Sequence, residues 1–259
     1  MTILAMVTPE LRAQMLAHAE QEAPDECCGL LVRFDGEQGV RYVPAVNELE
    51  GHGERDQFRL DPQTFAQCED AGEVLAVVHS HPNASAHPSM ADRKGCEDTG
   101  LPWLIVGWPS GALVELGPKG WAAPLVGRQY HFGVLDCYTL LQDFYRREMG
   151  ISLPDFDREG FRAGEPLYRR HMQEAGFELV ADGCCLDEHL LQRGDVLLLR
   201  VQSPDVDNHV AVYMGDGYML HHLTDQLSRK DRFDHPWQRR CFGVARHKVV
   251  MGKAWSAPQ

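Results

Sequence analysis

The chain has 259 residues, 44% of them hydrophobic, and a formal net charge of −13 from 25 Lys+Arg against 38 Asp+Glu. That balance argues against a general nucleic-acid or anionic-membrane surface, and no apolar run reaches the roughly 18 residues of a membrane helix. The length suits two domains of ordinary size, and the start, MTILAMVTPELR, lacks the regions of a signal peptide. Eight cysteines, at 27, 28, 68, 96, 137, 184, 185 and 241, include no CxxC pair. They read as free thiols of a reduced compartment.

Thr8 is placed to cap a helix over residues 8–18, with Pro9 at its first position and Leu11, Met15 and Leu16 as its apolar stripe. Strands are expected over 28–34 and 40–45, joined by a turn at Asp35-Gly36. Residues 47–55 read as a polar surface loop and 62–70 as a second helix. Residues 74–78 form a short apolar run with β-branched residues, the pattern of a buried strand. His79 and His81 follow at i and i+2, which puts both rings on one strand face and Ser80 on the other. Pro82 should end the strand. Ser89 and Asp92 make a capping box at a helix start. Two histidines and an acid are also a common zinc set with a fourth position left open. An Asp in the first helical turn can do both, and His87 is the next candidate ligand. Residues 104–108 and 112–116 read as a hairpin, and the Gly/Pro run from Gly117 starts a linker near 118–127.

Beyond the linker, Leu140, Leu141, Phe144, Tyr145 and Met149 recur at helical spacing, with Asp136 as N-cap and Gly150 as C-cap. Cys137 then lies in the first turn, where the helix N-terminus favours thiolate; a buried structural cysteine is the alternative. A strand starts at Gly194-Asp195-Val196. Residues 209–214 alternate, turn at 215–217 and return to His222. A three-residue loop pairs Met214 with Tyr218 and Ala211 with His221, leaving His221 diagonal to His209. A two-residue Asp-Gly turn gives that place to His222.

The pattern H-x-H-P followed by S-x-x-D, with PDECCGLLV upstream, resembles the signature of the JAMM (MPN+, Mov34) metallopeptidases. The resemblance implies that His79, His81 and Asp92 hold Zn2+, that Glu26 is the general base toward the activated water, and that Ser89 stabilises the oxyanion. Without it, Glu26 is an exposed carboxylate at a helix end. The order Cys137, then RGDV, then HVAVYMGDG and a further His resembles the NlpC/P60 cysteine peptidases. This implies Cys137 as nucleophile, His209 as base and His221 as the orienting residue. Asp136-Cys137-Tyr138-Thr139 departs from that family's Asp-Cys-Ser-Gly. Tyr130 stands only seven residues before Cys137, where the family's tyrosine stands about a dozen before.

Together the resemblances imply an α+β chain, with a JAMM-type domain over 1–122 and a papain-like NlpC/P60 domain over 125–259. This pairing in one chain resembles the phage tail assembly proteins. It implies hydrolysis of peptide bonds, other tail proteins as partners (a β-grasp, ubiquitin-like one among them), and a peptidoglycan stem peptide as substrate. It also implies the host cytoplasm during assembly and the virion tail tip afterwards. The rival expectation is a structural tail protein with one or both sites inactive.

Overall fold

In the computed structural model, which describes residues 2–49, 57–158, 165–183 and 188–251, the chain divides into two units, Met1–Ala122 and Ala123–Gln259. Cys184, Cys185 and residues 50–55 of the expected surface loop lie outside the described residues.

The first unit opens with α1 (Pro9–Glu22), whose cap is Thr8: its hydroxyl accepts the Leu11 N–H at 3.3 Å. The helix continues one turn past the expected end. Its buried stripe, Leu11, Met15 and Ala19, covers one face of a five-stranded sheet. The strands are β1 (Cys28–Phe34), β2 (Arg41–Ala45), β3 (Gly72–Pro82), β4 (Trp103–Trp108) and β5 (Leu113–Leu116), in the order β2-β1-β3-β4-β5. Only β3 and β4 are parallel. A parallel pair needs a crossover, and α3 (Met90–Thr99) supplies it. Cys68 of α2 (Pro62–Ala71) and Cys96 of α3 pack with Leu30, Val77 and Trp103 on the sheet face opposite α1. Val77, His79 and His81 share that face, so both imidazoles point toward α3.

One expectation fails here. Asn47 is buried rather than on a surface loop. Its amide donates to the carbonyls of Glu26 (3.0 Å) and Gln57 (3.1 Å), and its oxygen accepts from the N–H groups of Leu49 and Arg59 (both 3.0 Å). Part of the expected linker is pinned: the N–H groups of Lys119, Gly120 and Trp121 donate to the Glu97 carboxylate at 2.7, 3.0 and 2.9 Å.

The second unit is built on a six-stranded antiparallel sheet in the order β10-β9-β8-β7-β11-β6. Its strands are β6 (Phe177–Asp182), β7 (Val196–Leu199), β8 (His209–Gly215), β9 (Tyr218–His221), β10 (Arg229–Arg232) and β11 (Cys241–His247). The helix α4 (Cys137–Phe144) packs on Val196, Leu198, Val210, Val212 and Leu220. It runs into a π-helical turn, Tyr145–Met149, and stops at Gly150 with φ 68°. Leu197, Leu199, Ala211, Tyr213 and Met219 form the second core on the other face. Two short helices, α5 (Leu167–His171) and α6 (His235–Gln238), complete the unit.

The turn between β8 and β9 joins both alternatives. Asp216 and Gly217 occupy its centre at φ 53° and 73°, the positive values a two-residue turn of this kind requires, and Gly215 pairs with Tyr218. A register break between Tyr213 and Gly215 leaves Met214 unpaired, as in a β-bulge, and restores Ala211 opposite His221.

Two candidate active sites

His79 and His81 project from the end of β3, and Asp92 from the first turn of α3, capped by Ser89. The Ser89 hydroxyl accepts the Asp92 N–H at 3.1 Å, and the Asp92 carboxylate accepts the Ser89 N–H at 2.7 Å. The same carboxylate reaches Nε2 of His79 at 3.1 Å and Nε2 of His81 at 3.3 Å, and the two Nε2 atoms lie 3.1 Å apart. Zn–N bonds of about 2.0–2.1 Å put the ligand atoms of a tetrahedron roughly 3.3 Å apart. The three donors therefore fit a zinc ion without rearrangement. They are the one group of such donors found among the described residues. His87 is not among them; its Nδ1 lies 2.8 Å from the Ser85 hydroxyl.

The surroundings hold the rings in place. Nδ1 of His81 donates to the Ser85 carbonyl at 2.7 Å, so Nε2 is the atom that presents a lone pair once the ring gives up its second proton. His79 is fully buried, stacked on Phe58 (centroids 4.7 Å apart) and edged by Trp103 (5.3 Å). Glu26 is 5% exposed, not the exposed helix-end acid its local sequence suggests, and its Oε1 lies 3.9 Å from Nε2 of His81. Burial lowers the affinity of His79 for a proton. In His81, burial is outweighed by the hydrogen bonds to Asp92 and Ser85 and by the charge of Glu26, so its pKa is pushed up to about 9. Asp92 is buried too, yet its bonds to both imidazoles hold its carboxyl well below the ordinary range. The site attracts positive charge, and a metal ion would have to compete with a proton for it.

In the second unit Asp136 caps α4, accepting from the N–H groups of Tyr138 (3.0 Å), Thr139 (2.9 Å) and Gly133 (3.0 Å). Arg158 pairs with it at 2.9 Å. Cys137 is buried, and its Sγ lies 2.9 Å from the Tyr168 hydroxyl on α5. Among the described residues no hydrogen bond joins Sγ to His209. Hydrogen bonding from the backbone of Val210, the residue after His209, also favours the thiolate. The expected thiolate is not the resting state: burial, then the Asp136 charge, push the thiol up to about 11, against the Tyr168 and Val210 bonds. The helix terminus loses to desolvation and to the carboxylate that caps it.

His209 lies across β8–β9 from His221, with Nε2 3.3 Å from Nδ1 of His221. Nε2 of His221 lies 3.1 Å from Asp231. Burial, reinforced by the neighbouring histidines, holds His209 well below the ordinary histidine value, so it rests neutral. His222 is on the opposite face; its Nε2 donates to the Gln226 carbonyl at 3.0 Å and Tyr130 packs edge-on against its ring. Tyr168 and Asp231 escaped the sequence reading. Both sit in elements with no apolar periodicity, and no sequence signal marks either.

The family model for prokaryotic homologs of the JAB domain matches residues 8–117, and that of the NlpC/P60 family matches residues 127–246. The chain is 36% identical over 242 residues to the tail tip assembly protein K of Escherichia phage N15, covering 92% of this chain and 94% of that protein. It is 38% identical over 199 residues to the tail tip assembly protein K of Escherichia phage lambda, covering 76% of this chain and 94% of that protein. The CysO-cysteine peptidase of Mycobacterium tuberculosis is 32% identical over 109 residues, which cover 39% of this chain and 71% of that protein. Identity at this level over 94% of the length of each of two phage proteins places the chain in the family of the tail tip assembly proteins K.

Proposed function

We propose that this tail assembly protein carries two peptidase centres. The first is a zinc-dependent peptidase or isopeptidase, and the second a cysteine peptidase that cleaves murein stem peptides. For the first, the supporting observation is the convergence of His79, His81 and Asp92 at 3.1–3.3 Å with the Glu26 carboxylate 3.9 Å from the cluster. When bound, zinc supplies Lewis-acid polarisation of a scissile carbonyl and makes water acidic enough to ionise near pH 7. Oε1 of Glu26 takes the proton of the attacking water and hands it to the leaving amine, a role worth about 10²–10⁴-fold in rate. The Ser89 hydroxyl serves the helix cap only as an acceptor, so its O–H remains to donate to the developing oxyanion. A relative named as a peptidase supports peptide-bond cleavage at this site, and the partner we propose for it is a β-grasp tail assembly protein.

In the second centre Cys137 attacks a stem-peptide carbonyl, His209 accepts the thiol proton and returns it to the leaving amine, and His221 orients His209. The thiol and imidazole both rest neutral, so the transfer accompanies attack; catalytic hydrogen bonds commonly tighten only when substrate binds. One observation favours a second reading for this unit alone. The sulfur is buried against Tyr168 rather than bonded to His209, as in a cysteine kept for structure. Digestion of purified murein and of co-expressed tail proteins by the wild type, Glu26→Gln and Cys137→Ala decides between them. Each variant should abolish cleavage of one substrate and spare the other. Murein left intact by the wild type supports the structural reading of the second unit.

A further inference from the structure

The strand β10 consists of four charged residues, Arg229-Lys230-Asp231-Arg232, set against the edge of β9. Arg229 stands opposite His221 and Asp231 opposite Met219, so Asp231 lies diagonal to His221 across the ladder. Its Oδ2 meets Nε2 of His221 at 3.1 Å and accepts from Nε of Arg229 at 2.8 Å. An ionised carboxylate only accepts hydrogen bonds. Nε2 of His221 therefore carries the hydrogen, and Nδ1 of the same neutral ring is an acceptor. That acceptor faces Nε2 of His209 at 3.3 Å, which must donate. His209 is left with its lone pair on Nδ1. Both rings are buried, and Trp237 of α6 closes on His221 edge-on at 4.8 Å. The charged and titratable groups around the pair are Asp231 and Arg229 on β10 and His222 just past the end of β9.

We propose that Asp231 is a positioning residue that acts through His221 to lock His209 in the tautomer whose Nδ1 can accept the Cys137 proton. The proposal rests on the cysteine-peptidase reading for its use, though not for its geometry. Burial works against ionisation of Asp231, but the bonds from Arg229 and His221 hold its carboxyl below the ordinary value, so the anchor is ionised across the neutral range. Three neighbouring strands each contribute one member to a single line of hydrogen bonds. The last member is only partly buried, so it can be changed without opening the core.

The test is long-range 1H–15N NMR of the full chain labelled at histidine, together with the rate of Cys137 alkylation. In the wild type both His209 and His221 should appear as single Nε2–H tautomers. Asp231→Ala should turn both into mixtures and slow alkylation about tenfold or more, the effect of losing a hydrogen bond to a charged group. Asp231→Glu should restore both readouts. Asp231→Asn, which keeps the volume and removes the charge, should fall between them. Unchanged tautomers in Asp231→Ala and Asp231→Asn overturn the proposal, whatever the chain cleaves. A tautomer shift with alkylation indifferent to both Asp231→Ala and His209→Ala upholds the relay and sinks the cysteine-peptidase reading instead.

Discussion

Asp92 serves a helix and two imidazoles with one carboxylate, and His81 shows the consequence. In the unfolded chain this ring titrates near 6.5; in the folded chain its pKa is pushed up to about 9. The folded state holds the proton more tightly, so the stabilisation is complete below the unfolded value and is lost as pH rises through the folded one. The metal-stripped protein should accordingly melt at progressively lower temperature between about pH 7 and pH 10. In His81→Ala that slope should flatten, and an identical slope in both proteins would remove His81 from the account. Cys137 carries the opposite lesson. With its thiol pushed up to about 11, iodoacetamide labelling should keep accelerating past about pH 9. A plateau reached by about pH 7 would mean a pre-formed thiolate–imidazolium pair, which burial in this structure disfavours.

At the level of elements, the proposed metal site depends on how closely α3 approaches β4. A Cβ on Gly95 would stand 2.3 Å from the Trp103 ring, and Trp103 edges His79. Alanine improves helix propensity by about 1 kcal/mol, but the clash is with a packed indole whose Nε1 is tied to the Thr99 hydroxyl at 3.1 Å. The clash should win. Gly95→Ala is expected to lower the melting temperature and weaken zinc binding, and unchanged zinc affinity in a titration would show that α3 can shift without moving Asp92. The same close fit explains what the sequence could reveal. The apolar run before His79 and the Ser89–Asp92 spacing are local signals, and both elements form where expected. The β8–β9 turn was legible only as two alternatives, because a bulge at Met214 is set by strand pairing and not by the turn residues. The strand β10 has no apolar alternation at all; it is a strand because β9 offers it an edge, and Asp231 was invisible for that reason. Cys137 at a helix start was legible, while its burial under Tyr168 depends on a helix 31 residues away in sequence.

On the scale of the whole molecule, each unit closes its own cores: two clusters lie within Met1–Ala122 and two within Ala123–Gln259. Residues 123–259 expressed alone should therefore fold cooperatively without metal, and chelators should lower only the unfolding transition of the first unit. A single transition that moves as a whole with chelation would mean the units are coupled. No helix among the described residues is long and apolar enough to cross a membrane. The central claim is the zinc centre, because it joins the strand, the helix cap and the proposed base in one arrangement. Its most direct measurement is the metal content of the purified full chain beside His81→Ala and Glu26→Gln. The wild type and Glu26→Gln should each hold about one zinc per chain, since Glu26 stands outside the ligand set, and His81→Ala should hold almost none. Zinc retained in His81→Ala, or lost with Glu26→Gln alone, would contradict the account.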